Sequence, residues 1–123
     1  MLKLLLDEHI SPKVAAGLRH CHPAVQVCPL AEWESGILMG QDDAACLRSA
    51  AKLRWTLVTY DRRTIPPLLK AWAETGQSHG GVIFVDEKTV PPSDIGGLVH
   101  ALAALAKDAA GWDWTNRISF LRR

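Results

Sequence analysis

The chain predicts an α/β fold, a three-layer α/β/α arrangement built on a central, mainly parallel sheet of about five strands. Two observations predict it. Apolar β-branched stretches alternate with amphipathic ones in the order βαβαβαβαβ, the pattern of parallel strands joined by crossover helices. Individual strands also read as near-continuous apolar runs, such as Val82-Ile83-Phe84-Val85, which suits a sheet covered on both faces. The 123 residues make one domain, 1–123, long enough to bury a proper core.

Each element has its own signal. Residues 2–6 read as a buried strand. Ser11-Pro12 opens a helix, because serine can cap free N–H groups and proline suits the first turn. That helix ends near His20-Cys21-His22-Pro23, since proline disfavours helix in the residue before it. Residues 24–27 form a second strand. Residues 29–41 are irregular, with Gly36 and Gly40, and include a short helix around 30–34. Asp43 reads as the N-cap of an alanine-rich helix through about Lys52. Residues 55–59 form a β-branched and aromatic strand. Thr64-Ile65-Pro66 opens a helix that runs to about Glu74 and stops at Gly76. Residues 81–85 are a strand, Ser93-Asp94 caps a long helix through about Asp108, and residues 117–121 make a final edge strand. Segment 109–116 is a surface excursion.

Composition narrows the function. Apolar residues make up 48 %, which rules out disorder as the default. A formal net charge of +1 carries no overall nucleic-acid signature, so any such surface must be local. Cys21, Cys28 and Cys46 are odd in number and lack C-x-x-C spacing. Together with the lack of a signal peptide, they read as cytoplasmic and reduced. No apolar run reaches the roughly 18–20 residues of a membrane span.

Acidic residues mark the strand ends. Leu4-Leu5-Leu6 runs into Asp7-Glu8-His9, and Thr56-Leu57-Val58-Thr59 runs into Tyr60-Asp61. Asp42-Asp43 opens the helix between them. In open α/β sheets ligands sit at the carboxyl ends of strands. Carboxylates gathered there repel each other and most naturally share Mg²⁺ or Mn²⁺. Such a cation polarises a phosphate and lowers the pKa of water. Each acid also has a plainer role: a strand-end cap for Asp7 or Glu8, a helix cap for Asp43, a turn residue for Asp61. Both Asp7 and Glu8 can coordinate only where the chain turns, since neighbours alternate along a strand.

These residues resemble a known pattern. Leu5-Leu6-Asp7-Glu8-His9-Ile10-Ser11-Pro12 is similar to the "LLDEN-SP" opening of a short bacterial PIN-like family. Asp43, followed by Ala45, Cys46 and Ala50, matches that family's helix-opening Asp. Thr59-Tyr60-Asp61 matches its Thr-x-Asp, and His79-Gly80-Gly81-Val82-Ile83 resembles its "hpGiI" strand opening. The resemblance covers nearly the whole chain. It implies a PIN-like α/β fold with a central parallel sheet and a Mg²⁺- or Mn²⁺-dependent ribonuclease of the VapC toxin type, silenced by an antitoxin protein. By resemblance, Asp7, Asp43 and Asp61 are the metal-site and catalytic carboxylates; Glu8, next to Asp7, adds a fourth acid or supporting group to the metal site. Thr59 is a supporting hydroxyl near the Thr-x-Asp carboxylate. The chain departs from the pattern in three places. Only Glu32 and Glu34 stand where a helix acid is usual, Arg62-Arg63-Thr64 replaces an acid and an aromatic, and His9 replaces Asn.

Other residues offer less. Arg62 and Arg63 lie beside the proposed cleft, where an RNA backbone needs neutralising. Arg48 and Lys52 read as a solvated helix face. His20, Cys21, His22 and Cys28 match no ordinary zinc spacing. Trp112-Asp113-Trp114 reads best as cover for the end of the sheet, and Leu98, Leu102 and Leu105 as core or a homodimer face. The sequence supports two readings: a metal-dependent endoribonuclease acting as a toxin component, or a catalytically degenerate module binding RNA or a partner protein. A receiver-like phosphoryl-transfer domain is a weaker third, because no lysine follows a later strand convincingly.

Overall fold

A computed structural model describes residues 2–122. Five strands form one all-parallel sheet: β1 (Lys3–Leu6), β2 (Gln26–Pro29), β3 (Thr56–Thr59), β4 (Val82–Phe84) and β5 (Ile118–Phe120). Four helices connect them: α1 (Pro12–Cys21), α2 (Asp43–Leu53), α3 (Ile65–Glu74) and α4 (Ile95–Asp108). A 3-10 segment, Leu30–Gly36, follows β2. The sheet order is β2-β1-β3-β4-β5, so the three-layer α/β/α expectation holds and "mainly parallel" becomes all-parallel.

Burial follows the pleat. Along β1, Leu4 and Leu6 face one layer and Leu5 the other, and all three are fully buried. Each such leucine contributes about 1.5–3 kcal/mol relative to exposure. Leu4, Leu6, Val58 and Ile83 pack under α1 and α4, through Val14, Leu18, Leu98 and Leu102. Leu5, Leu57, Val82 and Phe84 pack under α2 and α3, through Leu47, Ala50, Ile65, Leu69 and Trp72. Leu98 and Leu102 of α4 are therefore core, with Leu105 packed partly against it. Trp33 and Trp72 are core as well, and Trp33 Nε1 donates to Ser49 Oγ at 2.8 Å.

The chain order has a functional consequence. From β1 the chain steps to β2 on one side, then crosses to β3 on the other side of β1. The register pairs Leu4 with Thr56, Leu5 with Leu57 and Leu6 with Val58. The carboxyl ends of β1 and β3 therefore lie side by side at the point where the strand order reverses. In doubly wound sheets that crevice is where ligands bind.

The opposite end of the sheet is closed by close packing. Trp114 is buried over the start of β4, while Trp112 stays 44 % exposed with the Arg117 guanidinium 4.6 Å above its ring. Half of the Trp-Asp-Trp segment thus covers the sheet, and the other half lies on the surface. The Gly80-Gly81 pair fits this packing. Gly81 has φ +103°, and a Cβ there would stand 2.8 Å from the Trp114 carbonyl oxygen. A Cβ on Gly80 would stand 2.6 Å from the Trp55 carbonyl oxygen. His79 is buried beside them and accepts the Gly81 N–H on Nδ1 at 3.0 Å.

Candidate metal centre

Asp7 follows the last residue of β1 and is 7 % exposed, deep for a carboxylate. Its two oxygens have partners. Oδ1 accepts the His9 N–H at 2.9 Å, and Oδ2 accepts the hydroxyl of Thr59. The chain turns at Glu8-His9, with the Ile10 N–H donating to the Asp7 carbonyl at 3.1 Å. Burial pushes the Asp7 carboxyl above its ordinary value, and the Thr59 hydroxyl and His9 N–H offset part of that push.

Thr59 ties two strand ends together. Its hydroxyl donates to the Asp7 carboxylate and accepts the Asp61 N–H at 3.0 Å. The hydroxyl, expected near the Thr-x-Asp carboxylate, touches Asp61 through its backbone N–H and gives its own hydrogen to Asp7. The reason is register: Thr59 ends β3 beside β1, facing Asp7, whereas Asp61 has already entered the next turn. Asp61 Oδ1 there accepts the N–H groups of Arg63 at 2.9 Å and Thr64 at 2.8 Å. Asp61 is therefore both a turn residue and a member of the cleft.

Asp43 reaches the cleft because it is not the helix cap. Asp42 caps α2 instead, its Oδ1 accepting the Ala45 N–H at 2.8 Å. Asp43 is the first helical residue and its side chain points to Asp61. The two carboxyls share a hydrogen bond. That bond, with partial burial and the charges of Asp61 and Asp7, pushes Asp43 up to about 6. For Asp61, burial works upward but is outweighed by the bond with Asp43 and the N–H groups of Thr64 and Arg63, which bring it down to about 2. The pair behaves as two acids holding one proton between them. The three acids stand after β1, at the start of α2 and after β3; Asp43 feels the charges of Asp61 and Asp7, and Asp7 feels that of Asp61.

Several neighbours refine the picture. Glu8 is exposed and accepts the Gly40 N–H at 3.4 Å, so it fastens the 36–41 loop rather than joining the other acids. His9 lies near enough that its charge favours ionised Asp7 and Asp43. Glu32 forms an ion pair with Arg19 at 3.2 Å. Arg62 forms one with Asp86 at 3.4 Å and lies 5.9 Å from the Phe120 ring, whereas the Arg63 side chain is exposed. Asp86 escaped the sequence reading, although its signal matches the other two: an acid directly after an apolar strand.

A divalent cation suits the chemistry of this donor set. All donors are carboxylate oxygens, and a cation can take the place of the proton between Asp43 and Asp61. Among the described residues, no three Asp, Glu, His or Cys side chains already converge to hold a metal ion. Both Asp7 oxygens are already engaged, by the His9 N–H and the Thr59 hydroxyl. Compared with known proteins, the chain matches no family model, no curated protein and no solved structure.

Proposed function

We propose that this chain is a Mg²⁺- or Mn²⁺-dependent endoribonuclease of PIN type. The observation that carries the reading is that Asp43, at the start of α2, bonds Asp61 after β3 and senses the charge of Asp7 after β1, at the reversal point of the sheet. Three carboxyls in one crevice cannot all ionise without a counter-charge, here met in part by the proton between Asp43 and Asp61, and an all-oxygen set favours a hard cation in its place. When bound, such a cation supplies positive charge to a phosphodiester and acidifies water. The chain's own residues do the rest. Asp43 and Asp61 give up their shared proton on loading. Thr59 holds Asp7 in place, and Arg63 offers a guanidinium to the RNA backbone. The toxin role, with an antitoxin protein as partner, rests on the sequence resemblance alone.

A second reading has its own observation. Both oxygens of Asp7 are satisfied within the chain, and Arg62 is turned to Asp86. A cleft so arranged suits a module that keeps the fold and binds RNA or a protein without turnover.

Calorimetric titration with Mn²⁺ separates the readings, run on the wild type and on Asp7→Asn/Asp61→Asn with RNA cleavage in parallel. The nuclease reading expects binding and metal-dependent cleavage in the wild type and neither in the variant. Binding without cleavage selects the silent module. Absence of binding with and without RNA sinks the metal centre and leaves the acids as local caps.

A further inference from the structure

We propose that the open edge of β5 accepts an extended, acidic and apolar segment of a partner protein as an additional parallel or antiparallel strand. The backbone is ready for it. The Arg117 carbonyl accepts the Val82 N–H at 2.9 Å, and the Leu121 N–H donates to the Phe84 carbonyl at 2.8 Å. Strand alternation then turns the N–H and C=O groups of Ile118 and Phe120 outward, away from β4. No further strand pairs with β5 among the described residues.

The side chains are equally unusual for an edge. Native edges are commonly blunted by charge, proline or a bulge. Here Ile118 is 48 % exposed and Phe120 is 57 % exposed. A groove lies on each side of this edge. The groove toward α3, about 660 Å³, is lined by Pro66, Leu69, Phe84, Ile118 and Phe120, with Lys70 at its side. The groove toward α4, about 590 Å³, is lined by Leu105, Trp112 and Ser119, with Arg122 and Asp108. A strand added to β5 sends alternate side chains into the two grooves, which is how added strands gain both affinity and specificity.

Charge decides the occupant. Lys70, Arg117 and Arg122 surround the edge, outnumbering Asp108 and the Asp113 beside Arg117, while Asp86 is already paired with Arg62. An acidic segment meets complementary charge. A second copy of this chain would instead bring arginine-flanked strands together, which like-charge repulsion opposes.

The test uses the full chain with a synthetic probe, acetyl-Asp-Val-Glu-Val-Asp-Val-Glu-amide, and a control with lysine at every acidic position. Amide hydrogen exchange is read at Ile118 and Phe120. The acidic probe is expected to slow exchange at both about tenfold or more, and the lysine control to leave it unchanged. Phe120→Pro removes an outward N–H, and in that variant, read at Ile118 alone, the slowing should be lost. Should that variant fail to fold, Lys70→Glu/Arg122→Glu alters no backbone group and is expected to weaken the acidic probe about fivefold or more. Three results overturn the proposal: unchanged exchange at millimolar probe, equal slowing by both peptides, or slowing without peptide that grows with protein concentration alongside a dimer mass. The last assigns the edge to a second copy.

Discussion

At the residue scale, Asp43 carries the most information. Its carboxyl holds a proton that the unfolded chain releases at its ordinary value of 3.8, whereas the folded value is about 6. Between those values the native state binds more protons, so stability falls as pH rises through about 4 to 6. Asp61 works in the opposite sense lower down, adding stability as pH rises from about 2 to 3.8. Asp43→Asn removes the upper effect. Urea unfolding should find the variant more stable than the wild type by about 1 kcal/mol at pH 7, after allowance for solvent screening at this half-exposed site. The difference should shrink toward pH 4. An equal difference at both pH values would mean that the carboxyl's charge is not what costs stability. Asp7 and Asp61 were legible in the sequence because a strand end fixes where a residue must stand. The choice between Asp42 and Asp43 was not. Either acid can cap, and which one does so depends on where Cys46, Leu47 and Ala50 settle against the sheet. The pairing of Arg62 with Asp86 was hidden for a similar reason, because it joins the turns after two neighbouring strands.

At the element scale, helix and strand placements followed from caps, prolines and apolar runs, and the boundaries moved by only a residue or two. The expected final strand is shorter, Ile118–Phe120, yet it is an edge strand as read. What the sequence could not reveal was why two glycines precede β4. They carry no chemistry: they let the backbone pass against Trp55 and Trp114. Gly81→Ala should therefore destabilise by about 3 kcal/mol, because it combines a positive φ with a backbone clash. Chemical denaturation measures this directly, and a loss under about 1 kcal/mol would mean that Trp114 can shift aside.

At the scale of the whole molecule, alternation of elements disclosed the class of fold but not the strand order. That order depends on which apolar faces pair across the sheet, and no single segment records it. The order nonetheless determines that β1 and β3 are neighbours and that the turns carrying Asp7 and Asp61 lie side by side. A cation bound there would stabilise the native state by mass action. At free Mn²⁺ ten times the dissociation constant, the gain is about 1.4 kcal/mol, or about 5 °C in melting temperature. Thermal unfolding should register that rise in the wild type and not in Asp7→Asn/Asp61→Asn. An equal rise in both would place the cation elsewhere.

The strand order also has a meaning in time. Asp7, Asp43 and Asp61 all belong to the first half of the chain, and β2, β1 and β3 are adjacent. A ribosome delivers every acid of the cleft before it has made β4 or β5. The later strands enlarge the sheet outward from a border that already exists, Ile83 and Phe84 first and Ile118 to Phe120 last. The nascent chain thus carries all three carboxylates of the cleft before the sheet that buries Asp7 is complete.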